Sequence, residues 1–181
     1  MLLQILTYLL DVATGLLAGA CLLRLYMQLQ RVPFGNPLGR LVFALTDWLV
    51  LPLRKAVPAA GRWDLASLAG ALLLKLCQYL LLGLMLGGAG LAWAPVMALF
   101  GTAHVAVMGL MVLVIVYAIL SWVQTRSPIA DVVARLCEPL LAPVRRMVPL
   151  LGGVDLSPLV VLVLLQVVMI VLANLQAGVM L

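Results

Sequence analysis

Three ionisable residues sit where chemistry is costly. Asp11, Lys75 and His104 each interrupt a long apolar run. At the rise of an α-helix they lie roughly 12, 15 and 14 Å from the nearer end of their segments. In a hydrocarbon core of about 30 Å they would share one level. Charged side chains at that depth are rare and need a partner or a water-lined cavity. Asp11 and Lys75 can neutralise each other and fix a helix pair. The same residues could instead serve a proton or ion path, or Lys75 could snorkel to an interface. His104 stands alone, which suits a helix contact better than a ligand. A repeat described below places Gln166 opposite Lys75, which extends the expected polar layer to four residues.

Other chemistry is poorly supported. The chain has no nucleophile elbow, no glycine-rich phosphate loop and no paired-carboxylate site. Cys21, Cys77 and Cys137 are far apart and odd in number, so neither a metal site nor a disulfide framework is expected. The reading is non-enzymatic, with no cofactor and no metal. The net charge of +5 comes without an aromatic platform or nucleic-acid motif. Its basic residues therefore read as orientation signals and contacts to anionic lipid headgroups.

The elements that must position these residues follow from composition. Hydrophobic residues make up 66% of the 181 and charged residues 9%. A soluble fold cannot hide that much apolar surface, whereas a bilayer solvates it. Four segments are long and apolar enough to span, at about 2–26, 65–86, 95–123 and 159–181. Leu17-Ala18-Gly19-Ala20-Cys21 resembles a lipoprotein cleavage box, but Asp11 breaks the apolar run and no basic region precedes it. The first segment is therefore expected to be a retained helix.

Segments of 30-odd residues join the first span to the second and the third to the fourth, and hold most of the charge. Arg31, Arg40, Arg54, Lys55 and Arg62 lie in one; Arg126, Arg135, Arg145 and Arg146 lie in the other. The termini and the short turn at 87–94 carry no Lys or Arg. The positive-inside rule then puts both long connections in the cytoplasm and both termini outside. Within them, Arg40, Asp47 and Arg54 recur every seven residues, as do Asp131, Glu138 and Arg145. That spacing puts each set on one narrow face of an otherwise apolar helix, the pattern of an interfacial helix. Such helices are expected at about 37–58 and 128–149, with Pro52 and Pro143 breaking or ending them. Arg24, at the inner end of the first span, is expected to snorkel.

The strongest pattern is internal repetition. Displaced by 91 positions, residues 37–68 align with 128–159 without a gap. Pro52, Arg54, Lys55, Pro58, Gly61 and Asp64 fall on Pro143, Arg145, Arg146, Pro149, Gly152 and Asp155. The expected fold is an all-α membrane protein of four transmembrane helices from a tandem parallel duplication, 1–90 and 91–181. Each half is a helix, a cytoplasmic amphipathic helix and a second helix. In the shared unit, prolines and glycine shape a turn back to the membrane. The paired cations suit lipid phosphates, and each aspartate can cap the next span. Partner docking is the other reading of the same residues.

The doubled P-x-R-[KR]-x-V-P-x-x-G-x-x-D unit resembles the bacterial YggT family. So do the Asn36-Pro37 and Ser127-Pro128 pairs, the Arg24-x-x-x-Gln28 approach and Ser121-Trp122-Val123. One departure is Trp48, where the second repeat has Pro139 as the family does, so the first amphipathic helix is expected to run on where the second breaks. The resemblance covers nearly the whole chain. It implies a multi-pass protein of the bacterial inner membrane, in a family associated with osmotic-shock tolerance, with division in some bacteria, and with cytochrome assembly and nucleoid organisation in plastids. The function it implies is that of an accessory or scaffold protein in membrane-complex or division-related assembly. Its partners would be membrane lipids, other membrane proteins or further copies of itself, with no direct nucleic-acid contact. The alternative is a small oligomeric channel or transporter for ions or solutes in the osmotic-shock response.

Overall fold

A computed structural model describes residues 1–57, 63–88, 90–123, 127–146 and 155–179. Six α-helices form these residues: α1 (Leu2–Leu29), α2 (Pro37–Ala56), α3 (Leu65–Met85), α4 (Ala94–Val123), α5 (Pro128–Arg145) and α6 (Ser157–Val179). A single 3-10 turn, Leu91–Trp93, precedes α4. The described residues hold no β-strand.

Helices α1, α3, α4 and α6 are long and apolar enough to cross a bilayer. Their outer faces carry uncovered aliphatics, among them Leu99, Ile115 and Ile119 on α4 and Leu159, Val163, Val167 and Val171 on α6. Only 6% of the most apolar stretch of α4 and 11% of that of α6 are buried within the chain. Water would not tolerate that surface, and lipid does. The chain is a multi-pass membrane protein.

Packing runs in the order α1 on α3, α3 on α4 and α4 on α6, with α2 against α1 and α3, and α5 against α4 and α6. Three apolar clusters hold this together. Ala18, Cys21, Val50, Ala66 and Ala71 join α1, α2 and α3. Val114, Val133, Cys137, Leu141 and Val161 join α4, α5 and α6. Met27, Val32 and Val42 meet Val132 and Leu136 across the middle, where the Tyr26 hydroxyl also donates to the Leu136 carbonyl at 2.8 Å.

The sequence sets the helix ends. Asn36 Oδ1 accepts from the Gly39 amide at 2.9 Å, and Ser127 Oγ accepts from the Ala130 amide at 3.1 Å. Each cap is followed by a proline at the first helical position, where no amide partner is needed. The α3–α4 connection turns on Gly87, Gly88 and Gly90, with φ of 74°, 90° and 82°. Side chains other than glycine rarely adopt those values.

Two expectations about proline are corrected. Pro52 does not break α2, which continues through it to Ala56. Pro139 and Pro143 do not break α5, which runs through both to Arg145. All three rings lie on the exposed face. On an exposed face the carbonyl that a proline ring displaces has room to tilt outward, so a helix can continue past it.

The two caps differ in one testable way. A Cβ at Gly39 would lie 2.4 Å from the Phe34 carbonyl oxygen and 2.7 Å from its Cα. The obstacle is backbone, so a side chain there must shift the turn that carries the Phe34–Phe43 stack. Gly39→Ala is expected to destabilise the protein by about 1–3 kcal/mol. Ala130→Gly, at the matching position of α5, should cost only about 1 kcal/mol of helix propensity. Thermal unfolding of both variants in detergent checks the contrast.

Candidate functional site

Ionisable side chains gather in two settings, one inside the span region and one at the starts of α3 and α6. The first joins α1 to α3. Lys75 Nζ lies 3.1 Å from Asp11 Oδ1 and 2.8 Å from Gln78 Oε1, while Gln78 Nε2 donates to Asp11 Oδ1 at 2.9 Å. Thr14 Oγ1 sits 2.6 Å from Gln78 Oε1 and 2.7 Å from the Leu10 carbonyl, and its one proton serves one of them. The Lys75 side chain is 4% exposed and that of Asp11 62%. The buried cation is thus held by a carboxylate and an amide oxygen, and the group is neutral as a whole. Asp11 Oδ2 has no hydrogen-bond partner among the described residues. It borders an open cleft of about 420 Å³ lined by Leu3, Gln4, Thr7, Tyr8, Asp11 and Gln78.

The other two members of the expected layer are not in this group. Gln166 is exposed on α6 and His104 is exposed on α4. Val105, next to His104, lies 3.7 Å from where a Cβ would stand at Gly19, eight residues beyond Asp11. Among the described residues, His104 makes no hydrogen bond to Asp11, Lys75, Gln78 or Thr14. Thr14 and Gln78 take the places expected of His104 and Gln166. Their signal was available, since each lies three residues after a charged member and so on the same face.

The second setting comprises two guanidinium–carboxylate latches. Asp64 precedes α3, fully buried, and accepts from Arg54 Nη2 at 2.6 Å and Ser67 Oγ at 2.8 Å. Ninety-one residues later, Asp155 precedes α6 and accepts from Arg145 Nε and from the Ser157 amide, both at 2.9 Å. Arg145 also reaches Glu138 at 2.9 Å and bonds the Tyr117 hydroxyl. Lys55 and Arg146, beside the latch arginines, are exposed and form no ion pair among the described residues. Pro52 and Pro143 lie one turn or less before these latches inside α2 and α5. Pro58, Gly61, Pro149 and Gly152 lie outside the described residues.

Arg24 corrects the snorkelling expectation. It is 2% exposed. Its Nη1 lies 2.8 Å from Thr46 Oγ1 and 2.7 Å from Asp47 Oδ1, and the guanidinium stands 4.6 Å from the Phe43 ring centroid. Its Nε makes no hydrogen bond and sits 3.8 Å from Asp64 Oδ2. The reason is α2, which folds back over the end of α1 and supplies the acid and the ring. The first half thus serves Asp47 and Asp64 with two arginines, and the second serves Glu138 and Asp155 with one.

A profile of the CCB3/YggT family matches residues 3–85 and again 96–176, so one family unit covers each of these halves. The chain belongs to the YggT family. Its curated relatives include the Escherichia coli K12 protein named "Uncharacterized protein YggT", 36% identical over 165 residues, 90% of this chain and 86% of the relative. An uncharacterized protein of Pseudomonas aeruginosa is 40% identical over 179 residues, 94% of this chain and 89% of the relative. One from Haemophilus influenzae is 31% identical over 145 residues, 80% and 78% respectively. No solved structure matches.

In this YggT-family chain the latches carry a pH dependence. Burial pushes the Asp64 carboxyl up, but hydrogen bonds from Arg54 and Ser67 and the Arg54 charge outweigh it, so it titrates below the usual carboxylate range. At Asp155 burial is likewise outweighed, by hydrogen bonds from Ser157 and Arg145. A carboxylate with a lowered folded-state pKa adds stability above its unfolded value of about 4, and loses it as pH falls through the lowered value. Stability in detergent is expected to fall as pH drops below about 4, and the double variant Asp64→Asn/Asp155→Asn should flatten that fall. Equal acid sensitivity in variant and native protein would assign the loss to other groups.

Proposed function

We propose that this chain is a non-enzymatic accessory or scaffold protein of the bacterial cytoplasmic membrane, acting in membrane-complex or division-related assembly and in osmotic-stress tolerance. The observation that carries this reading is the closure of the Asp11–Lys75–Gln78–Thr14 group. Its bonds tie α1 to α3 and balance the charge, which suits a fixed helix pair rather than a route for a moving ion.

In this reading the chain is a tandem parallel duplication of residues 1–90 and 91–181. The doubled family match and the matched latches Arg54–Asp64 and Arg145–Asp155 support it. Helices α2 and α5 lie at the cytoplasmic interface and both termini are periplasmic. Arg40 and Lys55 on α2, Arg135 on α5 and Arg146 just after it are exposed and suit anionic headgroups. The chain works without a cofactor, and its partners are lipids and membrane proteins, further copies of itself included. Topology is checked by cysteine labelling in a background lacking Cys21, Cys77 and Cys137. Val57→Cys is expected to react from the cytoplasmic side, and reaction from outside alone would overturn the orientation.

A second reading, a small oligomeric channel or transporter in the osmotic-shock response, is favoured by one feature, the open cleft with an exposed Asp11 carboxylate. Two measurements separate the readings. Purification in mild detergent is expected to bring down a membrane complex, and proteoliposomes of the pure protein are expected to pass no ion or small solute. Reproducible flux that depends on Asp11 would favour the second reading and sink the first.

A further inference from the structure

The outer half of α1 is uncovered. Of residues 1–13 only Thr7 and Leu10 are even half-buried. Most of that surface is aliphatic and suits lipid, but one line along it does not. Gln4, Tyr8 and Asp11 are exposed and follow one another at four and three residues, and Gly15 comes four later. That alternation keeps all four on one seam of a helix. Neither the Gln4 amide nor the Tyr8 hydroxyl has a hydrogen-bond partner among the described residues, and neither has Asp11 Oδ2. The seam therefore carries two free donors and one free carboxylate oxygen within two turns. In hydrocarbon such groups are unstable until something covers them and completes their hydrogen bonds.

The chemistry of the seam narrows what that is. Lys75 already balances the Asp11 charge, so a cationic partner helix would leave an excess charge buried in lipid. A neutral helix that offers donors at the depth of Asp11 and accepts others beside it fits better. The seam itself has that composition, with a donor at Tyr8 one turn from the acceptor at Asp11 and a second donor at Gln4 one turn from Tyr8. Self-complementarity is what a two-fold interface requires, because each surface must meet its own copy. In a parallel pair, a seam residue faces its counterpart and the residues three or four away from it. Gly15 adds access, since a Cβ there would meet nothing within 4 Å and the bare backbone allows a second helix to come close.

We propose that this seam is a homodimer interface, in which two copies pack α1 against α1 in parallel about an axis normal to the membrane, with Tyr8 of each copy hydrogen-bonding the Asp11 carboxylate of the other and Gln4 meeting Gln4 and Tyr8 of the other. The inference rests on the bilayer setting of α1 and is independent of the accessory role.

The test reconstitutes a mixture of donor-labelled and acceptor-labelled copies into liposomes over a range of protein-to-lipid ratios. Energy transfer is expected to exceed that of chance proximity. The Gln4→Leu/Tyr8→Phe variant removes groups that bond to nothing within the chain, so its fold should stand, shown by an unchanged thermal transition. Its apparent association should fall at least tenfold. Disulfide cross-linking supplies the second measurement, in a Cys77→Ser background. Tyr8→Cys is expected to cross-link to itself, and Leu164→Cys, exposed on α6, is not. Three outcomes would each overturn the proposal: transfer no greater than chance, equal association of native and variant protein, or cross-linking of Tyr8→Cys to a different membrane protein with none to itself. Flotation of the same liposomes separates this result from its premise, because protein that fails to float with lipid disproves the bilayer setting itself. Co-purification of a membrane complex bears on the accessory role and leaves the dimer result unchanged.

Discussion

Asp11→Leu is expected to destabilise the protein in detergent by about 3 kcal/mol, the low end of what breaking a buried ion pair costs. The low end applies because Lys75 keeps its bond to Gln78 Oε1 at 2.8 Å. Lys75→Met should cost less, about 1–2 kcal/mol. Its removal leaves the Asp11 carboxylate with the Gln78 amide as a donor at 2.9 Å. The double variant Asp11→Leu/Lys75→Met removes both charges and should recover most of the loss, as apolar replacements of buried pairs do. The charge swap Asp11→Lys/Lys75→Asp should recover less, since a short carboxylate at position 75 starts from a buried site. Thermal unfolding of the four chains gives the coupling directly. Double variants that cost the plain sum of their singles would show that the residues do not act as a pair.

This pair also marks what a sequence reveals about a membrane interior. Depth is legible, because rise per residue converts position into ångströms and the cost of an unpaired charge demands a partner. Rotation about the helix axis is not. The 91-residue displacement sets Gln166 in the place of Lys75, yet Lys75 is buried between helices while Gln166 is exposed. The displacement matches positions along the chain. What each position faces depends on the neighbours, and α3 has both α1 and α4 beside it where α6 has α4. The partners that close the group, Thr14 and Gln78, stand one turn from the two charges and were open to the same periodicity argument.

The latch residues were legible as a repeat but not as pairs, since Arg54 and Arg145 read as lipid-phosphate contacts and Asp64 and Asp155 as helix caps. Arg54 and Asp64, and Arg145 and Asp155, recur at one spacing in both halves, and each pair closes within hydrogen-bond distance. The equal ten-residue spacing of the two pairs is the signal that could have joined them. Arg24 lacked any such local signal. Its partners Thr46 and Asp47 lie 22 and 23 residues away on α2. Only the return of α2 across the end of α1 turns an exposed helix terminus into a buried site. The displaced position on α4 is Ile115, which is exposed, so the repeat offered no second arginine to compare.

Arg24 therefore carries the second large expected effect. Arg24→Met would leave Asp47 without its cation and Thr46, 1% exposed, without its donor. It would also remove the guanidinium 4.6 Å from the Phe43 ring centroid. The expected loss is about 3–5 kcal/mol, the range for breaking a buried pair. Arg54→Met should cost less, about 1–2 kcal/mol, because Asp64 keeps Ser67 and has a second arginine within reach. Arg145→Met provides the comparison, since Glu138 and Asp155 share that single arginine. It should cost more than Arg54→Met, though exposure of the Glu138 carboxylate screens part of the effect. The expected order of destabilisation is Arg24, then Arg145, then Arg54, read from thermal unfolding in one detergent. Arg24→Lys separates charge from shape. It keeps a cation near Asp47 but lacks the planar group that reaches Thr46 and stacks on Phe43, so it should recover less than half of the loss. Full recovery by lysine would mean that charge alone holds α2 on α1. An Arg24→Met chain as stable as Arg54→Met would mean that the α2 fold-back rests on its apolar contacts, Val42 and Val50, and not on the buried guanidinium.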